Sequence, residues 1–169
     1  MKRNGSCAVN SSIYLVYMSF LIIFVSLTMV NLLQFPSVLA QNATNFYDLY
    51  KKGLYLDDAG NYTGAISYYD KALAINPNYI NALDNKGVAL DKLGNHTGAI
   101  SYYDKALDID SYNTNVLDNK GVALDKLGNH TGAISYFDQS LDINPSDINA
   151  LNYKNIILKI LGNHSTSIN

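Results

Sequence analysis

Thiols are almost missing from this chain: Cys7 is the only cysteine among 169 residues, so neither a disulfide framework nor a cysteine zinc site can be built. Charge is sparse as well. Only 15% of the residues are charged, and 12 basic side chains face 14 acidic ones. Lys2 and Arg3 account for two of the basic residues, which leaves ten against fourteen, a net of −4, beyond residue 40. Nucleic acid is therefore a poor partner, because phosphate binding needs clustered lysine and arginine. Proline is scarce at 3 residues, and 48% of the chain is hydrophobic, which excludes the collagen-like and disordered classes. The length suffices for one ordinary domain plus an accessory segment.

The accessory segment is N-terminal. Ile13 to Leu33 is an apolar-dominated run of 21 residues behind Lys2 and Arg3. As a helix it would be ~32 Å long, enough to cross a bilayer core. Its basic end should stay cytoplasmic, which puts everything after Leu33 outside the cytoplasm. Two readings of residues 1–40 stand side by side. In one, Val38-Leu39-Ala40 before Gln41 is the small-residue cleavage site of a signal peptide. In the other, residues 13–33 are an uncleaved membrane anchor. The run exceeds the roughly 7–15 residues of a usual signal h-region. Tyr14, Tyr17, Ser26 and Asn31 in turn make it a weak permanent span. If the anchor stays, the connection from Leu33 to Phe46, with its linker at 41–45, reaches at most ~40 Å and keeps the remainder of the chain near the membrane.

The chain beyond the linker is periodic. GNYTGAISYYDKALAINP at Gly60 returns as GNHTGAISYYDKALDIDS at Gly94 and GNHTGAISYFDQSLDINP at Gly128, then stops at GNHSTSIN from Gly162, a period of 34 residues. Each period holds two amphipathic stretches separated by turn signals, so each repeat is a helix hairpin that buries its apolar face against its neighbours. In the best-formed unit the pattern predicts helix A at Ile80–Leu93 and helix B at Thr97–Ile109. Between them Gly94 supplies a residue free to adopt positive φ and Asn95 an N-cap. Pro77 and Pro145 are expected to stop helix B. A mid-helix glycine disfavours the helix by ~0.5–1 kcal/mol and needs a compensating close approach, so Gly87 is expected to make room for Ala99.

This arrangement resembles the tetratricopeptide repeat, over Phe46 to Leu161. Counting within the repeat, the eighth-place small residue is Gly53, Gly87 and Gly121, and the twentieth-place alanine is Ala65, Ala99 and Ala133. The twenty-fourth-place aromatic is Tyr69, Tyr103 and Phe137, and the twenty-seventh-place small residue is Ala72, Ala106 and Ser140. Two places depart from the family. Leu49, Leu83, Leu117 and Leu151 stand for its fourth-place tryptophan, and Lys52, Lys86, Lys120 and Lys154 for its seventh-place leucine, a change expected to weaken core packing. The resemblance implies an all-α solenoid of three repeats, 46–79, 80–113 and 114–147, with a capping half-repeat helix at 148–161 and a tail at 162–169. One N-terminal hydrophobic helix would precede it. The apolar load of the cap, Ile156, Ile157, Leu158, Ile160 and Leu161, implies an exposed patch.

In the resembled family helix A lines a concave face. Carried over, its columns give Asn81, Asp84, Asn85, Val88, Asp91 and Lys92 in the second repeat and Asn115, Asp118, Asn119, Val122, Asp125 and Lys126 in the third. The whole face holds six aspartates against four lysines. Amides that bond both backbone groups and an apolar column for alternate side chains suit an extended peptide. Asp84–Tyr102 and Asp118–Tyr136 are identical, so the two columns are copies and not independent signals. Of the five places of the family's carboxylate clamp only Asn85 is filled as expected, with Tyr50, Leu54, Asn115 and Asn119 at the rest, so recognition of a free C-terminus is not expected.

Asn42, Asn61, Asn95, Asn129 and Asn163 head Asn-x-Ser/Thr sequons and are candidate N-glycosylation sites, the last four at the same inter-helix turn. His96, His130 and His164 recur beside them. Equivalent residues in successive repeats should lie on the order of 10 Å apart, too far for one zinc with nitrogens at ~2 Å, so no metal site is expected. Nor does any nucleophile–base pair, phosphate-binding loop or carboxylate dyad stand apart from the repeat, and neither catalysis nor a cofactor is expected. The leading functional reading is an extracytoplasmic interaction scaffold holding peptide segments in its concave groove. Self-assembly through Ile148–Leu161, as a homodimer or array, is the second, and an accessory subunit of an envelope enzyme complex the third.

Overall fold

The computed structural model describes residues 45–166, with side chains through Gly162. The signal or anchor segment and the Asn42 sequon lie outside the described residues. Among the described residues no helix is long and apolar enough to cross a membrane. Seven helices succeed one another: α1 (residues 45–58), α2 (Tyr62–Ile75), α3 (Ile80–Lys92), α4 (His96–Ile109), α5 (Thr114–Lys126), α6 (His130–Ile143) and α7 (Ile148–Thr166). They pair as three antiparallel hairpins with α7 left over, and each hairpin packs on the next.

The Gly-Asn turn sets every hairpin. Gly60, Gly94 and Gly128 take φ of +76°, +81° and +80°, the region glycine enters without steric strain. The next residue caps: Asn95 Oδ1 accepts from the Gly98 amide at 2.9 Å, and Asn61 and Asn129 do the same at 3.0 Å. The asparagine is the N-cap, so helix B starts one residue before the expected Thr97, at His96. The stop at the far end is not a proline effect. Helix α4, followed by Ser111, ends in register with α2 and α6, which are followed by Pro77 and Pro145. Shared by all three is an Asx turn, in which Asn76, Asp110 and Asn144 accept from the amides of Asn78, Tyr112 and Ser146.

The mid-helix glycine makes its close approach to a different partner from the expected one. A Cβ on Gly87 would stand 2.4 Å from Cε1 of Tyr103, and Gly53 and Gly121 stand in the same relation to Tyr69 and Phe137. The aromatic ring of helix B, and not Ala99, fills the space that glycine leaves. Ala99 is buried beside it, as are Ala65 and Ala133. Tyr69, Tyr103 and Phe137 are the largest fully buried side chains of the solenoid.

α7 corrects the expected end of the stack. It does not stop at Leu161 but runs through Gly162 and Asn163 to Thr166. No second helix folds back within the described residues, so nothing forces Gly162 into a turn, and the fourth sequon sits in a helix rather than in an inter-helix turn. Ile157 and Ala150 pack on α6, whereas Ile148, Leu151, Ile156, Leu158, Ile160 and Leu161 are exposed, as the apolar load implied.

Two glycine-to-alanine changes therefore have opposite signs. Gly87→Ala drives a methyl into the Tyr103 ring and should lower stability by about 1–3 kcal/mol. Gly162→Ala meets nothing within 4 Å and should raise it by ~0.5–1 kcal/mol. Urea unfolding followed by circular dichroism tests both.

Candidate functional site

Helices α3, α5 and α7, the A helices of successive repeats, lie side by side and bound a groove of about 640 Å³. Its lining is Asp84, Val88, Asp91 and Lys92 from α3, Asn115, Asp118, Asn119, Val122, Asp125 and Lys126 from α5, Asn149 and Tyr153 from α7, and Tyr103 from α4. Ten of the twelve columnar residues expected from the sequence are brought together here. Asn81 and Asn85 do not line it: Asn81 stands exposed beside Tyr79, and Asn85 donates to the Tyr50 hydroxyl at 2.9 Å.

Two ladders cross the floor of the groove. A fifth-place acceptor takes a hydrogen bond from the sixth-place amide of the next repeat, Tyr50 from Asn85 and Asp84 from Asn119, each at 2.9 Å. A twelfth-place aspartate takes one from the thirteenth-place lysine of the next repeat, Asp91 from Lys126 at 2.5 Å. Burial, with Asp58, pushes the Asp57 carboxyl above the usual carboxylate range, and the Lys92 charge offsets part of the rise without a hydrogen bond to Asp57 Oδ1. Burial raises Asp84 in the same way, with Asn119 opposing it. Burial raises Asp118 too, and Asp147 adds to the shift while Ser140 opposes it. Asn115 and Asn149, both exposed on this face, have no side-chain hydrogen bond among the described residues and are open to a ligand's backbone.

Models of the tetratricopeptide repeat match residues 50–114 and 114–147, three successive hairpins with the glycine–ring contact at each. The chain belongs to the tetratricopeptide repeat family. Solved domains with the same fold include the first tetratricopeptide domain of Spaghetti (RPAP3) bound to an HSP90 peptide, SRMEEVD, at 23% identity and a TM-score of 0.67 over 69% of this chain and 93% of that one. The second domain of human RPAP3, in complex with the HSP70 peptide SGPTIEEVD, gives 21% and 0.63 over 70% and 96%. MamA gives 22% and 0.67 over 75% and 74%. No curated protein matches.

Within the tetratricopeptide frame the seventh-place lysines do not weaken the core, as their charge had suggested. Lys86 and Lys120 are buried along their stems, and each ammonium sits between two B helices. Lys86 pairs with Asp70 of the preceding repeat and donates to the Tyr102 hydroxyl of its own at 2.6 Å; Lys120 does the same with Asp104 and Tyr136. Burial works against the Lys86 charge, yet Asp70 and Tyr102 outweigh it and hold its pKa above the ordinary lysine value. Lys154 repeats the ion pair with Asp138 at 2.5 Å. Sequence reasoning missed this ladder, although the recurring Tyr and Asp at the twenty-third and twenty-fifth places were its signal.

The turn asparagines Asn61, Asn95 and Asn129 are exposed, with their carbonyl oxygens engaged as caps and Thr63, Thr97 and Thr131 exposed beside them. His96 and His130 each face one aspartate through Nδ1, Asp91 and Asp125, at 2.6 Å.

The raised Asp118 carboxyl carries a stability cost that depends on pH. Its native form keeps the proton where the unfolded chain has lost it, so stability falls as pH climbs from 3.8 through the native value and stays lowered at neutrality. Asp118→Asn should raise Tm at pH 7, with a gain that shrinks as pH falls through the native value towards 3.8 and levels off below it. Thermal unfolding of both proteins across that range reads the difference.

Proposed function

We propose that this protein is an extracytoplasmic interaction scaffold that holds an extended peptide segment of a partner protein in the groove of α3, α5 and α7. One observation carries the reading: Val88 and Val122 recur one repeat apart in a groove whose Asn115 and Asn149 amides are unspent. Such a surface offers alternating pockets and backbone partners to a strand. The neighbours RPAP3 one and two, which hold HSP90 and HSP70 peptides, support a peptide as the class of ligand. They do not supply its sequence. Both of those peptides end in Glu-Glu-Val-Asp, whereas this groove presents Asp84, Asp91, Asp118 and Asp125 against Lys92 and Lys126. Asn85, the one clamp residue in place, is already bonded to Tyr50. The apolar run 13–33 behind Lys2 and Arg3 supports the placement outside the cytoplasm, and the three exposed turn sequons are candidate glycosylation sites on that reading.

The test is recovery of the partner from gently solubilised membranes. Val88→Lys with Val122→Lys should lower partner recovery at least about tenfold while leaving the helical circular dichroism intact. A partner retained by the double variant places the contact elsewhere.

Self-association is the second reading, and the open side of α7 favours it. Leu83 and Leu117 are 4% and 2% exposed beneath the B helix of their own repeats, whereas Leu151, at the same place, is 40% exposed. Asn155 replaces the glycine that would admit a B-helix ring, so the face does not suit another standard repeat. Ile148, Leu151, Asn155 and Leu158 have the 3-4-3 spacing of a two-helix seam with a single polar residue, which a second copy of α7 complements. Sedimentation of the chain should show a dimer that Leu158→Lys converts to a monomer. A concentration-independent monomer in the unmodified protein removes this reading.

A further inference from the structure

The two ladders of the groove share a defect at the same end. Asp84 has Asn119 and Asp91 has Lys126, but in the last repeat the amide place is Tyr153 and the lysine place is Ile160. Asp118 is therefore left without its cross-repeat amide, and the buried Ser140 hydroxyl is the polar group beside it. Asp125 keeps its histidine and gains no lysine. Of the two cations that line the groove, Lys126 is paired with Asp91, and Lys92 stands on α3, at the opposite side from α7. Lys159, the last repeat's counterpart of Asp125, does not line the groove, and Lys154 is held by Asp138. Asp147, which caps the α7 amides of Asn149 and Ala150, adds a further negative charge close to Asp118. The α7 end of the groove thus holds carboxylates without a lysine or amide partner from the next A helix, in a partly desolvated setting where charge is felt more strongly than in water.

Tyr153 makes this end aromatic as well as acidic. Its ring stacks on Phe137 at 5.6 Å and 10°, which fixes it, and 44% of the residue stays exposed. Carboxylates two helical turns apart beside a fixed, open aromatic ring suit an ammonium or guanidinium carried on an aliphatic stem, the stem lying along Val122 between them. We infer that the α7 end of the groove, lined by Asp118, Asp125 and Tyr153, is a subsite for a lysine or arginine side chain of the bound peptide. The inference rests on the peptide-binding reading above and gives that groove its preferred residue. Where α7 carries Tyr153 and Ile160 in place of the amide and lysine, the ligand's own cation takes their part.

Three fluorescein-labelled nonapeptides of alternating valine and lysine, glutamine or glutamate, titrated by anisotropy into the full-length chain in mild non-ionic detergent at low salt, test it. The lysine peptide should bind about tenfold tighter than the glutamine peptide, the glutamate peptide weakest, and the lysine advantage should fall as salt is added. Asp125→Asn should reduce that advantage several-fold, and Tyr153→Asn with Ile160→Lys, which restores both ladder partners and keeps both aspartates, should abolish it. Asp108→Asn, of equal charge change on an exposed face of α4, should leave it unchanged. Equal affinity for the lysine and glutamine peptides, or equal loss in the Asp108 variant, overturns the subsite while the groove reading stands. Binding of none of the three peptides overturns both.

Discussion

The contact between a glycine on one helix and an aromatic ring on the next is what the rest of this solenoid depends on. A ring can lie against a helix backbone only where no Cβ intervenes, and at Gly53, Gly87 and Gly121 the ring atoms occupy the space that a Cβ would need. That approach fixes the spacing and rotation of each hairpin, so the same side chains of every A helix arrive on the same side. Small residues at the twentieth and twenty-seventh places, alanine throughout except for Ser140, then close the remaining gap without adding bulk. The helical propensity lost at glycine is offset by the burial of a whole aromatic side chain per repeat.

Between repeats the cohesion is mixed, and this sets the character of the surface. Apolar contacts alone would slide, whereas Lys86 and Lys120, each held between an aspartate of one repeat and a tyrosine of the next, give the stacking a directional element. On the other side of the A helices, the amide and lysine ladders consume polar groups that would otherwise meet solvent or ligand. The groove is therefore less polar in its interior than its composition suggests, and its unspent groups concentrate at Asn115, Asn149 and the α7 end.

The last helix obeys the same rules with one element missing. Among the described residues no B-helix ring packs on α7, and Asn155 stands at the place that glycine holds in the other A helices. No helix folds back on α7 among the described residues, and the helix continues through Gly162 and Asn163. The identical local sequence Gly-Asn-His thus turns at Gly94 and Gly128 but runs helical at Gly162. The difference lies in the apolar surface that the next segment can bury, not in the propensity of the turn.

The period, the helix hairpins, the turn and its cap, and the residues that share the A-helix face were all determined by the sequence alone, because each is a matter of spacing along one helix or of φ at one residue. The ends of α3 and α4 were legible to within one residue for the same reason, although proline took credit that belongs to the Asx turn at Asn76, Asp110 and Asn144 and the end of α7 was missed by five. Which groups touch across helices was decided only by the tertiary structure. Gly87 meets Tyr103 and not Ala99, Lys86 is enclosed and paired, Asn85 is used up on Tyr50, and Asp118 loses the partner that Asp84 has. Those pairings depend on the rotation and rise between one hairpin and the next. Copies of a repeat look equivalent in the sequence until packing shows which of them has a neighbour.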